Sequence, residues 1–272
     1  MTINADDIQT IIKEEHKYDS LPSKAVNKMM YLVHQECEDR GITSDIPYFW
    51  YMFGVVSDDP SLNSTNASKS STVLEIDEAK LRNVVNDVLQ QYYRSDLESI
   101  TDSTYNDAPY AVQQEWRHLD KLIRTRHSDS PDFYEVDPSW EEIWDGVESV
   151  YDHFPLDEFQ EFEMDLLTWY STMTRELNTH EPEVERLKEC NESFWRIFSL
   201  SVAEMHRHQM SKKEVRESIE IESFEKAREY SRQNLASIEK ESLDESIQNE
   251  EASTTTKKAT DEVVRSTVEI SQ

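Results

Sequence analysis

The sequence predicts a mainly α-helical protein. A small α+β unit stands at its N-terminal end, a helical hairpin or bundle follows, and a long polar helix comes last. Three observations carry that prediction. Apolar residues recur at steps of three and four through most of the chain, the spacing that gathers them on one helical face. One nearly unbroken aromatic and β-branched run, from Tyr48 to Val56, interrupts that rhythm and reads as a strand. Glycine is almost absent, with 3 in 272 residues (Gly41, Gly54 and Gly146), so neither GxGxxG nor GxxxxGK[ST] phosphate loops can be written.

Taken in order, residues 5–17 form an amphipathic helix with Ile8, Ile11 and Ile12 on one side. In the next helix Pro22 suits the first turn, where its missing amide would be unpaired anyway. Val26, Met29, Met30, Val33 and Cys37 make its apolar face, and Gly41 sits where a left-handed exit is expected. Tyr48, Phe49, Trp50, Tyr51, Met52, Phe53, Val55 and Val56 then read as one strand covered on both faces, with Trp50 a core anchor. Gly54 marks a bulge or a close backbone approach. Residues 57–72 are polar, small and aperiodic, a flexible loop. Val73–Ile76 reads as a short strand. Residues 77–94 form a helix through Leu81, Val84, Val85, Val88, Leu89 and Tyr92. Residues 95–107 read as a loop, and 108–128 as a helix buried through Val112, Trp116, Leu119 and Ile123. The turn-rich stretch 129–138 is the expected boundary, giving an N-terminal unit of 1–128 and a helical region of 139–243.

In the second region Ser139 and Glu142 match a capping box, and the helix they open runs to about His153 with Trp140, Ile143, Trp144, Val147 and Tyr151 inward. Pro155 is expected to open the next helix, whose seam is Phe159, Phe162, Leu166, Trp169, Met173 and Leu177. Pro182 opens another, with the seam Leu187, Cys190, Phe194, Ile197, Ser201 and Met205. The short link between the two predicts an antiparallel αα-hairpin. Ser211 and Glu214 offer a second capping box for a helix running to about Leu243. Its apolar stripe (Val215, Ile219, Phe224, Ala227, Leu235, Ile238) is thin, so it is expected to project or to pair with another copy of the chain as a homo-oligomer. Residues 244–272 are polar and unpatterned and read as a disordered tail.

The region 21–56 also carries a resemblance. Lys24, Lys28, Met29, Met30, Tyr31 and Leu32 resemble the Lys-Leu-Leu-Tyr helix of the Panacea (SocA-like antitoxin) domain. Trp50, Tyr51, Phe53 and Gly54 resemble its aromatic-Gly-Pro turn, although Val55 stands where that pattern has proline. The same stretch resembles an uncharacterised haloarchaeal family related to that domain. The Panacea resemblance implies an antitoxin-like protein that neutralises a partner by binding it.

Charge narrows the remaining classes. With 57 acids against 28 bases the net charge is −29, and the apolar fraction is 36%, below the usual level of about 45–50%. Such a surface suits a halophile's cytoplasm and argues against nonspecific nucleic-acid binding, which needs Lys and Arg to displace counterions. The best basic stripe is Arg117, Lys121, Arg124 and Arg126 on one helix. Cys37 and Cys190 lack CxxC spacing and fit a reducing cytosol. The acidic N-terminal stretch has no signal-peptide core, and no run approaches the length of a membrane span, so a cytoplasmic protein is expected.

No catalytic, cofactor or metal site is expected. A di-iron bundle needs two Glu-x-x-His pairs and the chain has one, Glu115 and His118. His206 and His208, beside Glu204, do not share a helical face at spacing i, i+2. HExxH and GxSxG are absent.

The unusual segment lies between Arg126 and Arg175. It holds no Lys or Arg, yet it holds Asp129, Asp132, Glu135, Asp137, Glu141, Glu142, Asp145, Glu148, Asp152, Asp157, Glu158, Glu161, Glu163 and Asp165 among many aromatics. Within it Glu141, Asp145, Glu148 and Asp152 recur at steps of four, three and four and share one helical face. They are the candidate docking face for a basic protein partner; the competing account is a solvated halophilic surface. The function expected is therefore a non-enzymatic interaction or regulatory protein, against a structural, oligomer-forming protein or an enzyme without a recognisable motif.

The charge also makes a thermodynamic prediction. Self-repulsion at −29 opposes the compact state and salt screens it. The melting temperature is expected to rise steadily from about 0.1 M to about 3 M KCl, as the Debye length falls from about 10 Å to a few ångströms. A flat or falling curve would overturn the halophilic reading.

Overall fold

In the computed structural model the chain runs β1 (Ile3–Asn4), α1 (Ala5–Glu15), α2 (Ser23–Asp39), β2 (Ser44–Asp45), β3 (Tyr48–Trp50), β4 (Val55–Ser57), α3 (Glu78–Gln91), α4 (Leu97–Tyr105), α5 (Ala111–His127), α6 (Trp140–Asp152), α7 (Glu163–Leu177), α8 (Val184–Met205), β5 (Arg207–His208), α9 (Lys212–Ser218) and α10 (Phe224–Glu269). The structure describes residues 3–15, 23–57, 78–92, 95–127 and 137–269. It is mainly helical, with a small α+β assembly built on the N-terminal elements. Two compact units form: Met1–His118 with His153–Pro155 and Trp195–Glu229, and Leu119–Asp152 with Leu156–Phe194 and Tyr230–Gln272. These bounds differ from the expected 1–128 and 139–243, because α5, α8 and α10 each contribute to both units. The expected loop at 58–72, the short strand at 73–76 and most of the expected boundary at 129–138 lie outside the described residues.

In the first unit α2 is the central helix. Its Ala25, Val26, Met29, Met30, Tyr31, Val33 and Cys37 are all buried. It ends as expected at Gly41, whose φ is +67°. The Ile42 amide bonds the Cys37 carbonyl and the Gly41 amide bonds the Glu38 carbonyl, both at 2.8 Å, the paired bonds of a Schellman stop. β1 and β2 pair in parallel, Ile3 opposite Ser44.

The aromatic run is a hairpin and not the single strand its composition suggested. β3 and β4 pair antiparallel, with Tyr48 opposite Ser57 and Trp50 opposite Val55. The reversal lies at Met52–Gly54, where φ is 33° at Met52 and 100° at Gly54, and the Tyr51 amide bonds the Gly54 carbonyl at 3.0 Å. Side chains hold the turn's carbonyls. Tyr105 Oη (3.0 Å) and Trp195 Nε1 (2.8 Å) both donate to Met52 O, and Lys28 Nζ donates to Phe53 O at 2.8 Å. Burial, then Arg117 and Lys24, lowers the Lys28 ammonium to a pKa of about 8. Trp50 is buried, as the sequence led one to expect.

The opposite edge of β3 carries β5, antiparallel, with Tyr48 opposite His208 and Phe49 opposite Arg207, so the sheet order is β4-β3-β5. Below it Phe49, Leu200, Ala203, Met210, Val215 and Phe224 form one apolar cluster. Trp116 stacks on Trp195 with ring centres 4.4 Å apart.

Two further corrections fall in this unit. Residues 97–105 are the helix α4 and not a loop. Asp96 caps it by accepting from the Ser99 amide at 2.7 Å, and Ile100, Thr101, Thr104 and Tyr105 are buried. The Ser211–Glu214 capping box is present as expected, but its helix stops at Ser218. Glu220 takes φ 55°, and α10 starts afresh where the Lys226 amide bonds Ser223 Oγ.

In the second unit the seams are largely as expected. Phe159, Phe162, Leu166, Trp169, Met173, Leu187, Cys190 and Phe194 are buried. Trp169 of α7 stacks on Phe194 of α8 with centres 5.0 Å apart, and Glu176 pairs with Arg186 at 2.9 Å. Later residues of α7 thus meet earlier residues of α8, which makes the pair antiparallel. Pro155 does not open α7; turns and a 3-10 segment (Gln160–Phe162) intervene before Glu163. Gly146 lets α6 approach α5, since a Cβ there would stand 3.1 Å from Leu119 Cδ1. The expected disordered tail at 244–272 is helical through Glu269 as part of α10. Met205, at the end of α8 and within the first unit, is exposed and leaves its expected seam.

The two left-handed glycines yield a paired prediction. Gly41 has nothing within 4 Å of a built Cβ, whereas a Cβ on Gly54 meets Lys28 Nζ, Thr104 Oγ1 and Tyr105 Cε2, each at 3.2 Å. Gly41→Ala is expected to cost about 1–2 kcal/mol, the left-handed penalty alone. Gly54→Ala is expected to cost about 2 kcal/mol more, from crowding on top of its backbone strain. Chemical denaturation of the two variants tests this, and equal losses would contradict the role given to the turn.

Candidate functional site

The candidate face is built on α6, and local chemistry explains the helix. Ser139 N donates to Glu142 Oε2 at 2.6 Å while the Glu142 amide donates to Ser139 Oγ at 3.1 Å, completing the box read from the sequence. Glu141 and Glu142 lie in the first turn, where the positive end of the helix dipole favours them. The inward side consists of Ile143, Gly146, Val147 and Val150. Trp140, Trp144 and Tyr151, expected inward, are only partly buried. Arg126 covers Trp140, its guanidinium carbon 3.6 Å from the ring centre, and Trp144 Nε1 donates to Glu148 Oε1 at 3.0 Å.

The four predicted acids are brought together. Glu141, Asp145, Glu148 and Asp152 are all exposed on α6. Among the described residues no ion pair reaches any of them. Elsewhere in the same unit, Asp165 pairs with Arg232 at 2.9 Å, Glu192 with Arg124 at 2.6 Å, and Glu176 with Arg186. Asp152 also stands in the last turn of a helix with no basic residue there, where the dipole disfavours an acid. Glu141 suits the first turn and Glu148 holds Trp144, whereas Asp145 and Asp152 have no such role in the helix.

The next helix carries a feature outside the expected seam. Met164 is 70% exposed and Leu167 40%. Together with Tyr170 they follow a three-residue step along α7 and stand off its buried seam. The Tyr170 ring lies 4.5 Å from that of Tyr151 on α6. Its hydroxyl pKa is raised, first by burial and then by Glu148, Tyr151 and Asp152. The signal was present in the sequence as apolar residues one or two positions out of phase with Phe162, Leu166 and Trp169.

The other candidates have ordinary partners. Arg117 pairs with Asp102 at 2.7 Å, and Arg124 with Asp120 and Glu192, so the predicted basic stripe is tied into the fold. His206 Nε2 bonds Tyr110 Oη at 2.9 Å, His208 stacks on Tyr48, and Glu204 binds Lys212 at 2.6 Å. No cluster of three or more metal-binding side chains occurs among the described residues. Both cysteines are free and buried, and burial raises their thiol pKa values, to about 11 for Cys37.

One grouping was not foreseen. His34 Nδ1 hydrogen bonds Ser44 Oγ while Glu38 Oε1 lies 3.8 Å from His34 Nε2, the combination that acyl-transfer enzymes use. Ser44 is only 4% exposed and His34 1%, so the hydroxyl is packed inside and satisfied there. No helix among the described residues is long and apolar enough to cross a membrane. Comparison with protein-family models, with curated proteins and with solved structures found no match of any of the three kinds.

Like charges at these spacings cost a helix about 0.2–0.5 kcal/mol per pair, and the face holds three successive pairs. Replacing Glu141, Asp145, Glu148 and Asp152 together by Gln is therefore expected to stabilise the protein by about 1 kcal/mol in dilute salt. The gain should fade as salt rises. Thermal melts of parent and variant at several salt concentrations check this, and a lower melting temperature in dilute salt would show that the acids hold the fold.

Proposed function

We propose that this chain is a non-enzymatic interaction or regulatory protein, antitoxin-like in its action, that binds a basic protein partner through the acidic face of α6 in the cytoplasm of a salt-adapted cell. One observation carries the reading. The four acids of α6 are exposed and lack cation partners among the described residues, while Asp165, Glu176 and Glu192 on other helices of the same unit are paired. Unpaired, aligned charge of one sign speeds encounter with an oppositely charged partner and rejects like-charged ones. The resemblance of Lys28–Leu32 and Trp50–Gly54 to the Panacea pattern supports the same class.

A second reading, self-association, rests on α10, which runs to Glu269 and exposes Tyr230, Leu243 and Ile247.

The test compares the parent with a variant in which the four α6 acids become Gln and four acids are added after Asp244, so that total charge is held. A basic protein captured at high salt in stoichiometric amount is purified, and its affinity for each form is measured with the oligomeric state. The reading expects at least about a tenfold loss in the variant, with its fold intact. Unchanged affinity would leave the acidity as an adaptation to solvent, and a self-associated parent that captures nothing would favour the α10 reading.

A further inference from the structure

We infer that the row of exposed Met164 and Leu167 and half-buried Tyr170 on α7, together with the acids of α6, receives an amphipathic basic helix of the partner. The inference rests on the function proposed above and names the shape of what binds there. Met164 is among the most exposed large apolar side chains of the described residues, and Leu167 continues the row one turn on. Tyr170 closes it against Tyr151, beside Glu148 and Asp152. The apolar row thus meets the acidic face at its Tyr170 end, and both sets repeat every three to four residues.

That spacing is about 5 Å along a helix axis, the rise of one turn. It matches a second helix carrying apolar residues at i, i+3 and i+4, with Lys or Arg along one flank. An added β-strand would need an exposed sheet edge, and here the backbone groups of α6 and α7 are bonded within their helices. Charge selects among the other occupants. A phosphate backbone or an anionic lipid surface would be repelled by Glu148 and Asp152. A second copy of this chain would bring the same acids to the contact.

The probe is a synthetic peptide of Leu and Lys, about 18 residues long so that it can form several turns when bound. In one version Leu recurs at helical spacing; in the other the same composition alternates with period two. Binding to the full chain is measured by fluorescence anisotropy in moderate salt. The helical version is expected to bind the parent about tenfold more tightly than the alternating one. Met164→Ser with Leu167→Ser should remove that preference while leaving charge and the melting temperature unchanged, since both side chains are exposed. The four-Gln variant should weaken both peptides, and added salt should do the same.

Equal binding of the two peptides to the parent, or a preference that survives Met164→Ser with Leu167→Ser, would overturn the helix inference while acidic docking stands. If the four-Gln variant binds both peptides as well as the parent does, acidic docking fails with it.

Discussion

The first unit depends on how one turn is satisfied. Met52–Gly54 places a non-glycine residue at positive φ, and its Met52 and Phe53 carbonyls take side-chain donors. A buried carbonyl without a partner costs about 1–3 kcal/mol. Here Met52 O accepts from both Tyr105 and Trp195, and Phe53 O accepts from Lys28. Those donors come from α4, α8 and α2. One three-residue turn therefore fixes three helices to the hairpin, and the donors have reasons of their own to be where they are. Trp195 stacks on Trp116, Tyr105 meets the edge of Trp50, and Lys28 lies on the buried side of α2. The low pKa of Lys28 is the mark of that arrangement: an ammonium is tolerated in the interior because a carbonyl needs it.

This explains which parts of the fold were legible in the sequence. α2, α3, α5, α6 and the seams of α7 and α8 follow from apolar spacing alone, because their burial is set along one helix. The hairpin was not legible, since its reversal is fixed by side chains far along the chain and its aromatic composition continues unbroken through the turn. α4 was missed for a related reason. Leu97–Tyr105 has a single strongly apolar inward residue, Ile100, and buries threonines whose hydroxyls bond carbonyls of their own helix. The break between α9 and α10 was hidden because Glu220, and not glycine, takes the left-handed position. Two-residue strands such as β5 have no period to read.

The candidate face shows the same division. The helical phase of Glu141, Asp145, Glu148 and Asp152 is a property of the sequence, and so is the capping box that starts their helix. That they lack cations among the described residues is not, because pairing depends on which arginines reach them in space. Arg232, Arg186 and Arg124 are spent on Asp165, Glu176 and Glu192. The apolar row on α7 was equally hidden, since Met164 and Leu167 differ from core residues only in which side of the helix they occupy.

The acidic segment can thus be weighed by its cost. A surface selected only for hydration gains nothing from aligning like charges at four-, three- and four-residue steps, since each such pair opposes the helix and scattered acids hydrate as well. Nor does hydration ask for an acid in the last turn of α6, against the dipole, or for Met164 and Leu167 in water on the next helix. Exposed apolar side chains are ordinary when single. A row of them flanked by unpaired charge of one sign has the make-up of an interface, with an apolar centre and a polar rim. Each of these features opposes stability or solubility by a small amount. All of them occur on α6 and α7, and a contact with a basic helix accounts for them together.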